Sequence, residues 1–378
     1  MSFEIKRLLK ISGAGVVMGA LALSVLSTAP ALGAAAKTAP AAASSSAATH
    51  PITRGQKIVM ATHSFNVFIS TDPDRPAPQR TQAVTPGGGA VPAAAPGRGG
   101  APAAAPAVAA PPGVPLLTKL TNERHLTGQE FLAVQMIGGS TPMQHWNEGN
   151  GDDSKNRAKA ALLKGGDKVD VFTMSPNAIM PEEGIDHFGD FVIAHNKNAR
   201  IMVQNSWGAY DGHGSTPSVG GTGGGSFTNA DRDKATLQDV TGWIDALNAP
   251  GGYMEKMRAQ LDGINKRAGH QIAYVVPSGE AVYTLRVRVI QGKVPGLTKQ
   301  SDMHLDPIGH PKPPTAHLVA YVWFAAMYRQ SPVGLQALVD KKDPTSAARE
   351  KILQQIAWDT VLNEPMSGVR GTPVKVDG

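Results

Sequence analysis

The chain has 378 residues, 41% of them hydrophobic, which is enough for one sizeable core and sets a soft limit of two or three domains. It has no cysteine, which excludes a disulfide scaffold, a zinc-thiolate site, an iron-sulfur centre and a cysteine nucleophile. The net charge is +6, part of it from Lys6, Arg7 and Lys10, and so small a surplus does not point to nucleic acid.

Residues 1–35 read as an export signal: a basic start, an apolar run over 11–26, and small residues at Ala31, Gly33, Ala34 and Ala36. The apolar run is short for a membrane span and contains Ser12, Gly13, Gly15 and Gly19. Cleavage and release into a bacterial periplasm or medium are therefore expected, with no membrane attachment afterwards. Residues 36–54 form an Ala/Ser-rich linker. The run KIVMA over 57–61 is the first expected strand. Residues 72–114 are rich in Pro, Ala and Gly; over 81–115 Arg98 is the one charge and there is no aromatic, so nothing offsets the entropy of ordering. This segment is expected to be a disordered insertion within a domain spanning 55–365, because a strand precedes it and the rest of the fold follows. Residues 366–378 read as a tail.

Beyond the insertion, near-continuous apolar runs at 131–137, 169–174, 200–205 and 271–276 suit strands buried on both faces. Helical spacing of apolar residues marks 116–124, 156–164, 187–195, 237–247, 253–266, 315–328 and 347–362. The alternation predicts the α/β class: a doubly wound, flavodoxin-like three-layer α/β/α sandwich with about five parallel strands. Such sheets bind ligands at the C-terminal ends of their strands, so chemistry is sought there.

Ser64 follows the first strand directly, as a nucleophile would if a histidine reached it, or as an ordinary turn serine. The second strand runs into Gly138 and Gly139, whose N–H groups suit an oxyanion hole or simply a tight turn. His145 and Trp146 come next as candidate pocket wall, and Trp207 after the fourth strand as a ring for stacking on a sugar or for the core. Ser175-Pro176-Asn177 follows the third strand with side chains able to donate to an oxyanion or to cap a turn. Late in the chain, Asp302, His304, Asp306 and His310 share a loop with Pro and Gly, either to orient an imidazole toward a serine or to ligate a metal. Asp211 and His213 lie near the active edge, as substrate contacts or a surface turn. Residues 220–225, GGTGGG, lack the Lys-Ser/Thr of a phosphate cradle and read as a flexible loop. Glu182 and Glu183 read as the solvated start of a helix.

Taken together, THSFNVFI, IGGSTPMQHWN and DPIGHPKPPTAHLVAYVWFAAMYRQSPVGL resemble the blocks of the SGNH hydrolases, the superfamily of the GDSL esterases and lipases, in an exported bacterial branch. The resemblance covers 55–71 and 115–336 in matching order. It implies an esterase acting on an acyl or acetyl ester, with carbohydrate as one candidate carrier, with Ser64 as nucleophile, His310 as general base, and Gly138, Gly139 and Asn177 as oxyanion donors. It implies no metal or organic cofactor. The family's acid stands three residues before its histidine; here that place holds Pro307, and Asp306 is four away. The family's third block, Gly-x-Asn-Asp, is absent from VDVFTMSPN. Two rivals stand beside this reading: a metal-dependent hydrolase using His304, Asp306 and His310, with Asp211 or His213, and a catalytically silent binding module. The sequence leaves the substrate's two halves and the oligomeric state open.

Overall fold

The computed structural model describes residues 50–70, 114–176, 179–212 and 228–370. The export signal, most of the linker, nearly all of the insertion, Asn177, His213 and the GGTGGG loop lie outside the described residues.

The described elements run β1 (Lys57–Thr62), α1 (Leu116–Glu123), β2 (Glu130–Met136), α2 (Pro142–Trp146), α3 (Arg157–Gly165), β3 (Val171–Met174), α4 (Glu183–His195), β4 (Arg200–Gln204), α5 (Leu237–Asn248), α6 (Tyr253–Ala268), β5 (Ala273–Val276), α7 (Ser278–Ile290), α8 (Pro313–Tyr328) and α9 (Ser346–Asn363). The five strands form one all-parallel sheet in the order β2-β1-β3-β4-β5. This is the doubly wound order, with the first strand internal and the switch point between β1 and β3. Central strands must be apolar on both faces: every residue of β1 after Lys57 is buried, and so is all of β3. At the edge, β2 is mostly half-buried.

Helices cover both faces of the sheet. On one side α8 packs against α1, α7 and α9; on the other α4 packs against α2, α3 and α6. From Thr315 to Tyr328 every residue of α8 except His317 is buried, so this helix is core from all directions, and its Leu, Val and Phe side chains each contribute about 1.5–3 kcal/mol by leaving water. Its N-terminus carries two prolines, which lose nothing at a position whose N–H groups have no helical partner.

Several boundaries differ from the sequence expectation. Helix α4 begins at Glu183 rather than 187, because Gly184 lets it press on the backbone of Pro142 and Met143 at the start of α2. Glu182 just before it is not a solvated charge: it accepts a hydrogen bond from Met143 N at 2.9 Å, and burial raises its pKa. Helix α7 was not foreshadowed, because nine of its 13 residues are buried and two of those, Ser278 and Arg286, are polar, which blurs the row of Glu280, Thr284 and Arg288. Residues on either side of the expected 55–365 domain also join the fold. Ile52 N donates to Tyr328 O at 2.8 Å and Arg54 pairs with Asp170, while Val275 N donates to Met366 O at 3.0 Å and Val369 is buried, so the ordered chain begins before 55 and extends past 365.

Candidate active site

The site is built where β1 and β3 end, at the switch point. After Thr62 the chain makes a tight turn in which Asn66 N and Val67 N both donate to His63 O. The Thr62 hydroxyl donates to Asn66 Oδ1, and Asn66 Nδ2 donates to Ser175 Oγ at 2.6 Å, tying the end of β1 to the end of β3. Ser64 is half-exposed at the crest of this turn, while His63 and Phe65 on either side are buried.

The second part is a hairpin over residues 304–311. His304 and Pro311 form an antiparallel bridge, and Leu305 N donates to His310 O at 2.7 Å. Inside the turn, Asp306 Oδ1 accepts from Gly309 N at 3.0 Å and His310 N at 3.2 Å, and Oδ2 lies 2.5 Å from His310 Nδ1. An ionised carboxylate only accepts, so Nδ1 carries the ring proton and Nε2 is left as acceptor. Nε2 faces Ser64 Oγ at 2.8 Å. The structure therefore brings Ser64, His310 and Asp306 into one chain of hydrogen bonds across 246 positions of sequence. The four-residue spacing between acid and histidine closes because Gly309, at φ +103°, turns the backbone where a side chain would meet Arg232 and Trp207. Burial alone would raise the Asp306 carboxyl; the His310 hydrogen bond and charge, with the two N–H groups, hold it down at about 2.

Asp302, the other acid of the loop, is turned away from His310. It accepts from Thr298 N, Thr298 Oγ1 and Lys299 N.

Behind the hairpin lies a support with no signal in the sequence. Trp207 stacks on Phe65 at 4.5 Å and donates through Nε1 to Gly309 O at 2.9 Å, so one ring touches the neighbour of Ser64 and the neighbour of His310. Arg232, fully buried, donates to Asp211 Oδ1 at 3.0 Å and to Pro307 O at 2.6 Å. Arg286 donates to Asp211 Oδ2 at 2.6 Å, so one buried carboxylate is shared by two guanidinium groups. Tyr210 N adds a bond to Pro307 O at 3.1 Å. An isolated arginine in a sequence reads as surface, and only the fold reveals that these two are enclosed.

On the opposite flank, Ile137 N donates to Thr62 O at 3.1 Å, which starts the Gly138-Gly139 turn beside the end of β1. A Cβ at either glycine would meet nothing within 4 Å, so this backbone fronts open space. The turn is pinned from behind. Ser140 Oγ donates to Ile137 O at 2.9 Å, so it accepts from His145 Nε2 at 2.7 Å, and His145 Nδ1 accepts from Gln135 Nε2 at 3.2 Å.

Three expected pocket residues are corrected by this arrangement. His145 is 1% exposed and spends both ring nitrogens on Ser140 and Gln135. Trp207 is 1% exposed, engaged by Phe65 and Gly309. Trp146 is half-buried, stacked on His187 at 5.0 Å, with the Lys159 ammonium 3.5 Å from its ring centroid. None offers a ring face for a substrate to stack on.

The donors of the metal alternative that are described are engaged elsewhere, and His213 lies outside the described residues. Among the described residues no three His, Asp or Glu side chains are grouped as ligands. His304 is 1% exposed with Nδ1 aimed at Gly309 O, and Asp211 is committed to its arginines. Burial, then the charges of Arg232 and Arg286, lower His304 well below the usual histidine range. Burial, then His310, takes His63 to about 4, and burial, then His63, takes His145 to about 3. These three rings are neutral at pH 7. Of the four histidines around the site, His310 is the one with a carboxylate partner and with its side chain 29% exposed.

No protein-family model matches the sequence, and no curated protein matches it. Among solved structures the chain is similar to the crystal structure of a DUF4886 family protein from Bacteroides uniformis, at 16% identity and a TM-score of 0.39, over 65% of this chain and 88% of that one.

Proposed function

We propose that this protein is an exported serine esterase of the SGNH type that its sequence blocks resemble. The observation that supports the reading best is the unbroken chain from Ser64 Oγ to His310 Nε2 and from His310 Nδ1 to Asp306. In this mechanism Ser64 Oγ attacks the acyl carbon as its proton passes to His310 Nε2, and Asp306 holds the imidazolium that forms. The tetrahedral intermediate collapses by breaking the bond to the alcohol oxygen, which takes the proton back from Nε2. Water then attacks the acyl-enzyme and gives a proton to His310 Nε2; the second intermediate breaks its bond to Ser64 Oγ, which takes that proton back as the acid leaves. The N–H of Ser64 with that of Gly138 or Gly139 receives the oxyanion, each donor being worth about 2.7–4 kcal/mol in the transition state. Asn177 is the third donor the family resemblance implies. No cofactor takes part in these steps.

The test is active-site labelling with a fluorophosphonate together with turnover of a short aryl ester. The parent protein should be labelled at Ser64 and should hydrolyse the ester. Ser64→Ala and His310→Ala should each lose nearly all activity, and the double variant little more, because groups sharing one step are not additive. A folded Ser64→Ala protein that keeps most of its activity would overturn the reading.

A further inference from the structure

We propose that the ester's alcohol half is an apolar alkyl or aryl group, recognised by Leu305 and Ile308; the inference rests on the esterase reading. The leaving oxygen must take its proton from His310 Nε2, so the alcohol lies on the His310 side of Ser64, against the 304–311 hairpin. In that hairpin the bridge joins His304 to Pro311, and Lys312 N donates to Met303 O while Leu305 N donates to His310 O. Leu305 and His310 are therefore directly opposite, and opposed residues of an antiparallel pair project on the same face. The side chain beside the base is thus a leucine, and it is 62% exposed. Ile308, in the turn between Asp306 and His310, is 38% exposed.

Large apolar side chains are normally exposed singly, and two on one short hairpin beside the base form a surface that an apolar group would cover. Among the described residues of the hairpin, the acidic choice is already spent. Asp306 is the one acidic residue in the hairpin, and it is engaged by His310 and Gly309. A sugar would find neither a free carboxylate on this rim nor an aromatic face at Trp146 or Trp207. An alkyl chain gains from desolvating Leu305 and Ile308 without needing either.

The experiment compares acetyl esters of alcohols with similar leaving-group acidity, ethyl to hexyl acetate, with a 6-O-acetyl sugar. Full burial of a methylene is worth about four-fold in binding, and an open rim about half that in logarithmic terms, or about two-fold. Over four methylenes kcat/KM should rise about 16-fold from ethyl to hexyl acetate. Ile308→Ser should remove part of the slope, and Leu305→Ser with Ile308→Ser should reduce the rise to under about three-fold. A flat profile in the parent protein, an unchanged slope in the double variant, or faster turnover of the sugar acetate than of hexyl acetate would each overturn the proposal. A flat profile in a protein that still hydrolyses esters and is labelled at Ser64 removes the alcohol assignment alone. Absence of both labelling and turnover removes the esterase reading with it.

Discussion

Replacing Gly309 with alanine should damage the site more than it damages the fold. The residue sits at φ +103°, where an L side chain costs about 1–2 kcal/mol. Its new methyl would lie 3.1 Å from Arg232 Nη2 and 3.3 Å from Trp207 Nε1, closer than ordinary contact, so both must give way by a few tenths of an ångström. These are two of the donors that hold the hairpin, to Pro307 O and Gly309 O. Weakening those bonds adds about 1 kcal/mol, for a total of about 2–3 kcal/mol. Gly334→Ala is the control: φ is +94° there, but nothing lies within 4 Å of the added methyl, so only the backbone cost of about 1–2 kcal/mol applies. Urea unfolding measures both. The kinetic expectation is sharper, because a misplaced His310 raises the barrier directly. Loss of only about 1.4 kcal/mol of transition-state stabilisation lowers kcat/KM ten-fold, and Gly309→Ala should lose at least that while Gly334→Ala keeps parental activity. If Gly309→Ala is no less stable than the control and equally active, the hairpin is not held as described.

The acid can be assigned by ranking: Asp306→Asn should lower kcat by about 10²–10⁴-fold, while Asp302→Asn, which only loosens the Thr298 and Lys299 turn, should keep activity; the opposite ranking refutes the assignment. Trp207→Phe preserves a ring against Phe65 but deletes the bond to Gly309 O, so kcat should fall several-fold with KM little changed and stability should drop by about 1 kcal/mol; a pure loss of stability would make the ring structural only. Burial, then the charge of Glu364, raises Glu280 to about 8 against the pull of Arg258. A carboxyl raised by burial loses stability for the fold as pH climbs above its unfolded value, because the unfolded chain ionises first, so Glu280→Gln should raise Tm relative to the parent more at pH 9 than at pH 5; an equal shift at both would refute it.

The strands were legible because a strand buried on both faces announces itself as a continuous apolar run, as at 57–61 and 200–205. Helices with one wet face were legible for the complementary reason. Helix α7 has no fully exposed residue and buries polar ones, and α2 is one turn long, so neither shows a clear period. Ser64 and His310 could be singled out by their place after a strand and before a helix, a matter of topology. The aromatic residues could not be read that way: Trp207 and Trp146 differ from exposed tryptophans only in what surrounds them, and that is set by Phe65, Gly309, His187 and Lys159 arriving from distant segments. Arg232 and Arg286 were invisible for the same reason, since their enclosure depends on one aspartate shared from the loop after β4.

The order of the site's parts along the chain has a kinetic consequence. Ser64 follows the first strand and His310 lies beyond the fifth, while the strand that presents Ser64 pairs only with partners made later. A growing chain thus carries Ser64 through 246 positions of synthesis before His310 is added. Parallel pairings of this kind are non-local and close late. A fragment ending at residue 303 would hold all five strands but neither Asp306 nor His310, so the hydrogen-bonded chain from Ser64 cannot form until the hairpin has been made and docked.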